Sequence, residues 1–208
     1  MLTGVSDTTP PRRQRLPKAQ RRVLLLEAAT MVFAQEGYHN ASMEAMARAA
    51  GVTKPVLYQH FPSKLDLLRA VATESTLEVE RVVTAAMNDN LSSGTPFESA
   101  IEALFDFAER RPHQFLLVYE TELPQDDQVQ HTILEGTARV VTHGIPIIKA
   151  HTGLDQNGAA LLAWSIIGMT TFAVRHWKRA NDGTSKADAL VLALELLHSG
   201  LSGWESQG

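Results

Sequence analysis

Ser42, Thr53 and Ser63 follow one another at intervals of ten or eleven residues, and each stands at the head of a run with helical spacing. Their side-chain oxygens can accept from backbone N–H groups that a first helical turn leaves unpaired, so each reads as a helix start. Ser42 opens a helix from Met43 to Ala50, and Thr53 opens a second in which Pro55 is tolerated because it lies in the first turn. Ser63 opens a long helix that begins at Lys64 and runs towards Asn90. The first two are too short to be stable alone and must be locked against something. Gly51-Val52 joins them. Gly51 suits a sharp turn that needs positive φ, and Ala47 lies where the two helices cross and a larger side chain would collide. Met46, Ala50, Val52 and Leu57 point inward. The layout is that of a helix-turn-helix, whose second helix enters the major groove of DNA.

The rest of the chain is helical in pattern as well. Leu25, Leu26, Ala29, Val32 and Phe33 recur at spacings of three and four, with a stop at Gly37. Thr95 caps a helix to about Arg110, Pro112 opens a short one to Tyr119, and a helix from about Gln128 carries a potential bend at Gly144 and Pro146. A long apolar helix covers about Asp155 to Ala180, and Ser185 caps a last one to about Leu201. Strand alternation between hairpin turns is absent. The expected fold is all-α, with nine helices in two domains. Residues 1–17 form a flexible basic arm, 18–66 a three-helix DNA-reading domain and 67–208 a helical ligand-binding and dimerisation domain.

Charge supports this division. The chain carries a net −4, yet residues 1–69 hold ten Lys or Arg against five Asp or Glu, and the remainder holds nine against eighteen. A basic first third on an acidic body suits a protein in which only that third meets phosphate. With no cysteine there is no disulfide frame, thiolate metal site or thiol nucleophile. The N-terminal stretch lacks the apolar core of a signal peptide. The apolar segment Ala159 to Val174 is shorter than the roughly 20 residues of a membrane span. These features fit a cytoplasmic protein with no membrane partner.

The residue types after Thr53 suit DNA. The hydroxyls of Thr53 and Tyr58 can donate to phosphate oxygens, while Lys54 and Lys64 add charge, Lys64 in the first turn of a helix whose free N–H groups also favour phosphate. Val56 can touch a thymine methyl and Gln59 can pair with an adenine edge. Leu57 and Phe61 read as core, Tyr58 can pack in part, and His60 can serve as a cap. The run from Thr53 to Lys64 closely resembles the recognition-helix signature of the TetR family of transcription regulators. Phe33-Ala34, Gly37-Tyr38, Ser42, Ala47 and Ala50-Gly51-Val52 fall in the family's order, and the resemblance covers roughly residues 20–70. It implies a TetR-like fold without enzyme activity, no bound cofactor, and phosphate contacts from Tyr58 and His60. The DNA-contacting set is then Ser42, Thr53, Lys54, Pro55, Val56, Tyr58, Gln59, His60 and Lys64.

A helix pair of this size needs two copies to specify a site, so a homodimer on a palindromic operator is expected. The last two helices are apolar nearly all round, from Ala159 to Ile167 and from Leu190 to Leu197, which implies burial on every side. The family uses them as a four-helix dimer bundle. Between the other helices an apolar effector site is expected. Phe105-Asp106-Phe107 with Glu109, Gly168-Met169, Arg175 with Trp177, and Ser185-Lys186 with Asp188-Ala189 resemble the actinobacterial regulators of fatty-acid synthesis that respond to long-chain acyl-CoA. The resemblance implies a regulator of lipid genes, expected to be a repressor, with an acyl chain near Leu104, Phe107, Phe115, Tyr119, Trp164, Gly168 and Phe172. Arg175 would lie at the mouth, among the candidate cations Arg110, Arg111, His113, Arg139, Lys149 and Lys178. Arg175 also reads as an ordinary surface ion-pair residue, and most of the aromatics as ordinary core.

Two rivals remain. A drug-efflux repressor would need buried carboxylates for a cationic ligand, and Asp106 and Glu120 are the candidates. A helical adaptor would not depend on Tyr58 or Lys64 for DNA. The six histidines beyond residue 100 form no metal-binding pair on one helix, and a phosphate loop or nucleophile elbow is missing.

Overall fold

In a computed structural model, described here for residues 17–119, 124, 126–180 and 182–201, the described residues form nine α-helices. They are α1 (Lys18–Asn40), α2 (Met43–Ala49), α3 (Lys54–His60), α4 (Lys64–Asp89), α5 (Pro96–Arg110), α6 (Pro112–Tyr119), α7 (Asp127–Thr152), α8 (Gln156–Ala180) and α9 (Lys186–Leu201). Most of the expected basic arm, residues 1–16, lies outside the described residues.

The helix starts have the expected chemistry at some positions. Ser42 accepts from Ala45 N–H at 3.1 Å, Ser63 from Asp66 N–H at 3.0 Å and Ser185 from Asp188 N–H at 3.1 Å. Thr53 and Thr95 stand at the N-cap positions of α3 and α5 without a side-chain cap bond. Gly37 does interrupt α1, with φ 73° and ψ 166°, but helical residues continue past it to Asn40. Gly51 turns between α2 and α3 at φ 65°. Helix α7 runs uninterrupted through Pro146 and is capped by Asp126, which accepts from Val129 N–H.

Two apolar cores result. The N-terminal one gathers Leu25, Leu26, Phe33, Met46, Ala47, Leu57 and Phe61, and it extends past the expected boundary at residue 66 to Leu67, Leu68, Val71 and Ala72 of α4. It also takes in Leu117 and Val118 of α6 and Val129 of α7. That boundary therefore cuts through continuous packing, because one helix, α4, serves both cores. The second core lies between α4, α5, α6, α7, α8 and α9 around Phe97, Ile101, Leu104, Phe105 and Phe115. Tyr119 packs against both.

Helix α8 has 25 residues, longer than the apolar run read from the sequence, and by length and composition alone it could cross a membrane. Its outer side and that of α9 expose Leu161, Trp164, Phe172, Val191, Leu192 and Leu196.

Candidate nucleic-acid interface and effector cavity

Helix α3 is held by one buried side and presents the other. Leu57 is fully buried, whereas Thr53, Lys54, Pro55, Tyr58 and Gln59 are exposed and Val56 is half-buried. Because Thr53 makes no cap bond, its hydroxyl stands unused at the N-terminus of α3. Lys54 forms an ion pair with Glu44 of α2 and lies 5.8 Å from the centre of the Tyr58 ring. The bond to Glu44 raises the Lys54 pKa, so it carries its charge at neutral pH. His60 is shifted the other way, first by burial and then by the charges of Arg21, Lys18 and Arg22. A neutral imidazole still donates one N–H. The same three cations show something the motif did not reveal: the start of α1 lies beside the end of α3 and extends its basic surface. Arg22 sits 4.6 Å over the Phe61 ring. No spacing within residues 42–64 could have shown this, because the neighbours are about 40 residues apart in sequence.

Besides Lys54, which is paired with Glu44, two of the expected DNA residues are engaged within the protein. The Ser42 hydroxyl oxygen is taken up by its cap bond. Lys64 departs from expectation: its Nζ donates to the carbonyls of Tyr38 at 2.7 Å, Ala41 at 2.9 Å and His39 at 3.3 Å. It also lies 4.5 Å from the centre of the Tyr38 ring. The ammonium closes the end of α1, where carbonyls lack helical partners and the dipole is negative. In this geometry Lys64 positions the domain rather than presenting a free charge to phosphate.

The expected effector residues separate into three groups. Leu104 lines a small cavity of about 30 Å³ between α4, α5, α7 and α8, together with Val83, Met87, Phe97, Val140, Ile166 and Ile167. The lining is apolar except for Thr170, whose hydroxyl donates to the Ile166 carbonyl at 2.8 Å. Tyr119 borders a neighbouring void of about 10 Å³ that shares Val140 and Ile167 with the first. Burial raises the Tyr119 pKa, so the phenol stays protonated. Phe107 and Phe115 are buried core residues that border neither space.

Trp164, Gly168, Phe172 and Arg175 correct the expectation. They follow at intervals of four, four and three along α8, which places them on one helical stripe. Trp164 and Phe172 are 40% and 68% exposed, so this stripe faces outward and not into the cavity. A Cβ at Gly168 would meet nothing within 4 Å. The Arg175 guanidinium stands 5.2 Å from the centre of the Phe172 ring. Helical periodicity placed these residues on one side of α8 without showing which side faced the core.

A groove of about 1260 Å³ is at the far end of the second core, between the end of α4, the start of α5, α7 and α9. Of the candidate cations, Arg139 lines it, in company with His143, His151 and His198. Arg110, Arg111 and His113 border a different crevice, near α1. For the efflux rival, Asp106 bonds to Lys186 at 2.8 Å and to Arg110 at 2.9 Å instead of facing a cavity. Glu120 lies outside the described residues. Among the described residues no group of three or more His, Cys, Asp or Glu could hold a metal ion.

Residues 25–71 match the bacterial regulatory proteins of the tetR family. The chain is 32% identical over 191 residues to the HTH-type transcriptional activator FasR of Mycolicibacterium smegmatis, covering 92% of this chain and 87% of the relative. This chain belongs to the TetR family. It is a DNA-binding transcription regulator and not an enzyme. A TetR-like regulator from Rhodococcus sp. RHA1 has the same fold, with a TM-score of 0.75 and 25% identity over 91% of this chain and 100% of that one. FadR of Bacillus subtilis, solved in complex with stearoyl-CoA, shares the fold at a TM-score of 0.69 and 20% identity over 86% of this chain and 98% of that one.

Proposed function

We propose that this TetR-family regulator controls genes of lipid or fatty-acid synthesis in the cytoplasm, and that a long-chain acyl group, free or as its CoA thioester, alters its hold on a palindromic operator. The observation that carries the effector reading is the cavity between α4, α5, α7 and α8, whose lining offers a ligand apolar surface. The match to FasR across most of the chain and the stearoyl-CoA bound to FadR support it. A regulator in an operator search needs no cofactor for this role, only the effector.

DNA is read by α3, with Thr53, Lys54, Tyr58 and His60 on phosphates and Val56, Pro55 and Gln59 towards the bases. Two copies pair through the outward stripe of α8 and the exposed face of α9. An apolar face of this extent on two adjacent helices is the mark of an interaction surface, and Gly168 in its middle allows close approach. The expectation of a repressor stands beside a relative named as an activator. The proposal therefore commits to ligand-controlled operator occupancy and not to a sign.

Coupling needs a ligand that binds one head spacing better than the other. Tyr119, packed on both cores beside the inner void, and α4, common to both, provide the connection. The test is to select the operator from genomic fragments and titrate hexadecanoyl-CoA into the complex. A change in operator affinity of about 5- to 150-fold is expected. Unchanged affinity with acyl-CoAs of every length would overturn the effector reading and leave the family assignment intact.

A further inference from the structure

We infer that the acyl ligand enters from the groove at the α4, α5, α7 and α9 end, passes Phe97, and lies with its methyl end towards Tyr119, so that Val140 and Ile167 set the chain length. This rests on the acyl reading above and adds the route, the orientation and the residues that select length.

Three observations carry it. Phe97 lines both the outer groove and the inner cavity, so its ring stands between the two. Directly across from it α7 has a glycine: a Cβ at Gly144 would stand 3.4 Å from Phe97 Cε1 and 4.0 Å from Cζ. A Cβ alone would be in ordinary contact with the ring, and a bulkier side chain would press on it, whereas glycine leaves it room to turn. At the opposite end Val140 and Ile167 separate the cavity from the smaller void beside Tyr119. Beyond that void α4 and α7 touch closely, with the Thr76 methyl where a side chain on Gly136 would be.

The polarity of the two ends sets the orientation. The groove carries side-chain N–H donors on Arg139, His143 and His198; His143 and His198 bond to Asn88 and Glu98 at its walls, and Arg139 bonds to Glu80 further in. They suit the carboxylate or thioester end, which keeps its hydration in an open groove. The inner cavity has no such donor, and the void beyond it is bordered by Glu80 and the hydroxyls of Thr76, Thr137 and Tyr119 but lined by no cation, so an anionic end there would lose its water without a compensating charge. At about 30 Å³ the cavity has room for about one water, so the chain must part the side chains around it; Met87, in its lining, is the adaptable one.

The absence of native cysteine allows a direct test. Ala150→Cys places one thiol in the groove and Gln130→Cys places one at the far end of α7. Hexadecanoyl-CoA and hexadecanoic acid are the probes, with binding followed by native mass spectrometry and thiol reactivity by a maleimide. Ligand at about ten times Kd should slow labelling of Ala150→Cys about tenfold and leave Gln130→Cys unaffected. Gly144→Ile and Phe97→Trp should each weaken binding at least about tenfold, with ligand-free operator affinity retained as the check on folding. Ile167→Ala should shift the preference to longer chains. Protection by the thioester alone assigns the CoA moiety to the groove wall, and equal protection by the free acid assigns recognition to the chain; both support the route. Binding that leaves Ala150→Cys unprotected and Gly144→Ile unimpaired overturns the route while the acyl reading stands. If neither probe binds the native chain, both readings fall.

Discussion

Arg69 and Asp126 form a two-pronged ion pair, Nη2 to Oδ2 at 2.7 Å and Nε to Oδ1 at 3.2 Å, that ties α4 to the first turn of α7. Asp126 also caps α7 through Val129 N–H, so one carboxylate fixes both the helix start and its place against α4. The bond to Arg69 holds the Asp126 pKa below its ordinary value of 3.8. A lowered carboxylate pKa contributes stability in full above the unfolded value, and this contribution is lost as pH falls from there through the folded value. Asp126→Asn should therefore lower the melting temperature at pH 7, and the difference from the native chain should shrink below about pH 3.8. Melting curves from pH 7 to pH 3 check this; a difference that does not narrow on acidification refutes it.

Lys64 distinguishes a structural cation from a DNA contact. Lys64→Met removes the bonds to the Tyr38, His39 and Ala41 carbonyls. The loss should be about 1.5–3 kcal/mol, the range for hydrogen bonds to a charged group, and is read by denaturant unfolding without DNA. The salt dependence of operator binding should keep its slope. A slope reduced by about 0.9 with stability unchanged would return Lys64 to the phosphate set.

On α3 the two kinds of contact separate by the same measurement. Lys54→Ala and Tyr58→Phe should weaken binding to all DNA sequences. Lys54→Ala should reduce the salt slope by about 0.9, whereas Tyr58→Phe, which removes no charge, should leave it unchanged. Gln59→Ala should keep the slope and lose about 1–3 kcal/mol of discrimination at one base pair. Anisotropy titrations on operator and single-site variants, from low to moderate salt, provide both readouts. Equal losses on all sequences for Gln59→Ala would place that residue on the backbone instead.

Much of this was legible in the sequence, for reasons particular residues show. Ser42, Ser63 and Gly51 act through bonds and backbone turns within a few residues of themselves, so local pattern exposes them. The same locality misled at Lys64: its position in a helix's first turn suggested phosphate, while its actual partners lie 23 to 26 residues earlier. Trp164 and Phe172 are expected beside the acyl chain, yet they fall on a stripe of α8 that faces outward, which helical spacing alone does not reveal. Phe97, Gly144 and Ile167 carry no local signal, since a cavity is a relation among four helices.

The outward stripe predicts the assembly. Phe172→Glu and Leu192→Glu place charge on exposed positions of α8 and α9, so the folded monomer should tolerate them. Sedimentation should show the native chain as a dimer and the double variant as a monomer of 22.8 kDa. Operator affinity should fall with it, since each half-site is then read alone. A double variant that still sediments as a dimer would move the interface elsewhere.

Gly136 and Thr76 test how tightly α4 and α7 are joined behind the inner void. A Cβ at Gly136 would come within 1.8 Å of Thr76 Cγ2, far inside contact distance. Alanine is otherwise the better helix residue by about 1 kcal/mol, so in the absence of that methyl the change would stabilise. Overpacking typically costs about 1–3 kcal/mol, and Gly136→Ala alone should be destabilising or at best neutral. Thr76→Ala removes the obstructing methyl and also a buried hydroxyl that has no hydrogen-bond partner. The double variant should then recover the loss and reach or exceed native stability. A cycle of four denaturant curves measures the coupling, expected to favour the pair by at least about 1 kcal/mol. Additive effects would mean that the helices part readily at this point, and α7 would then be free to shift against α4 where the proposed chain ends.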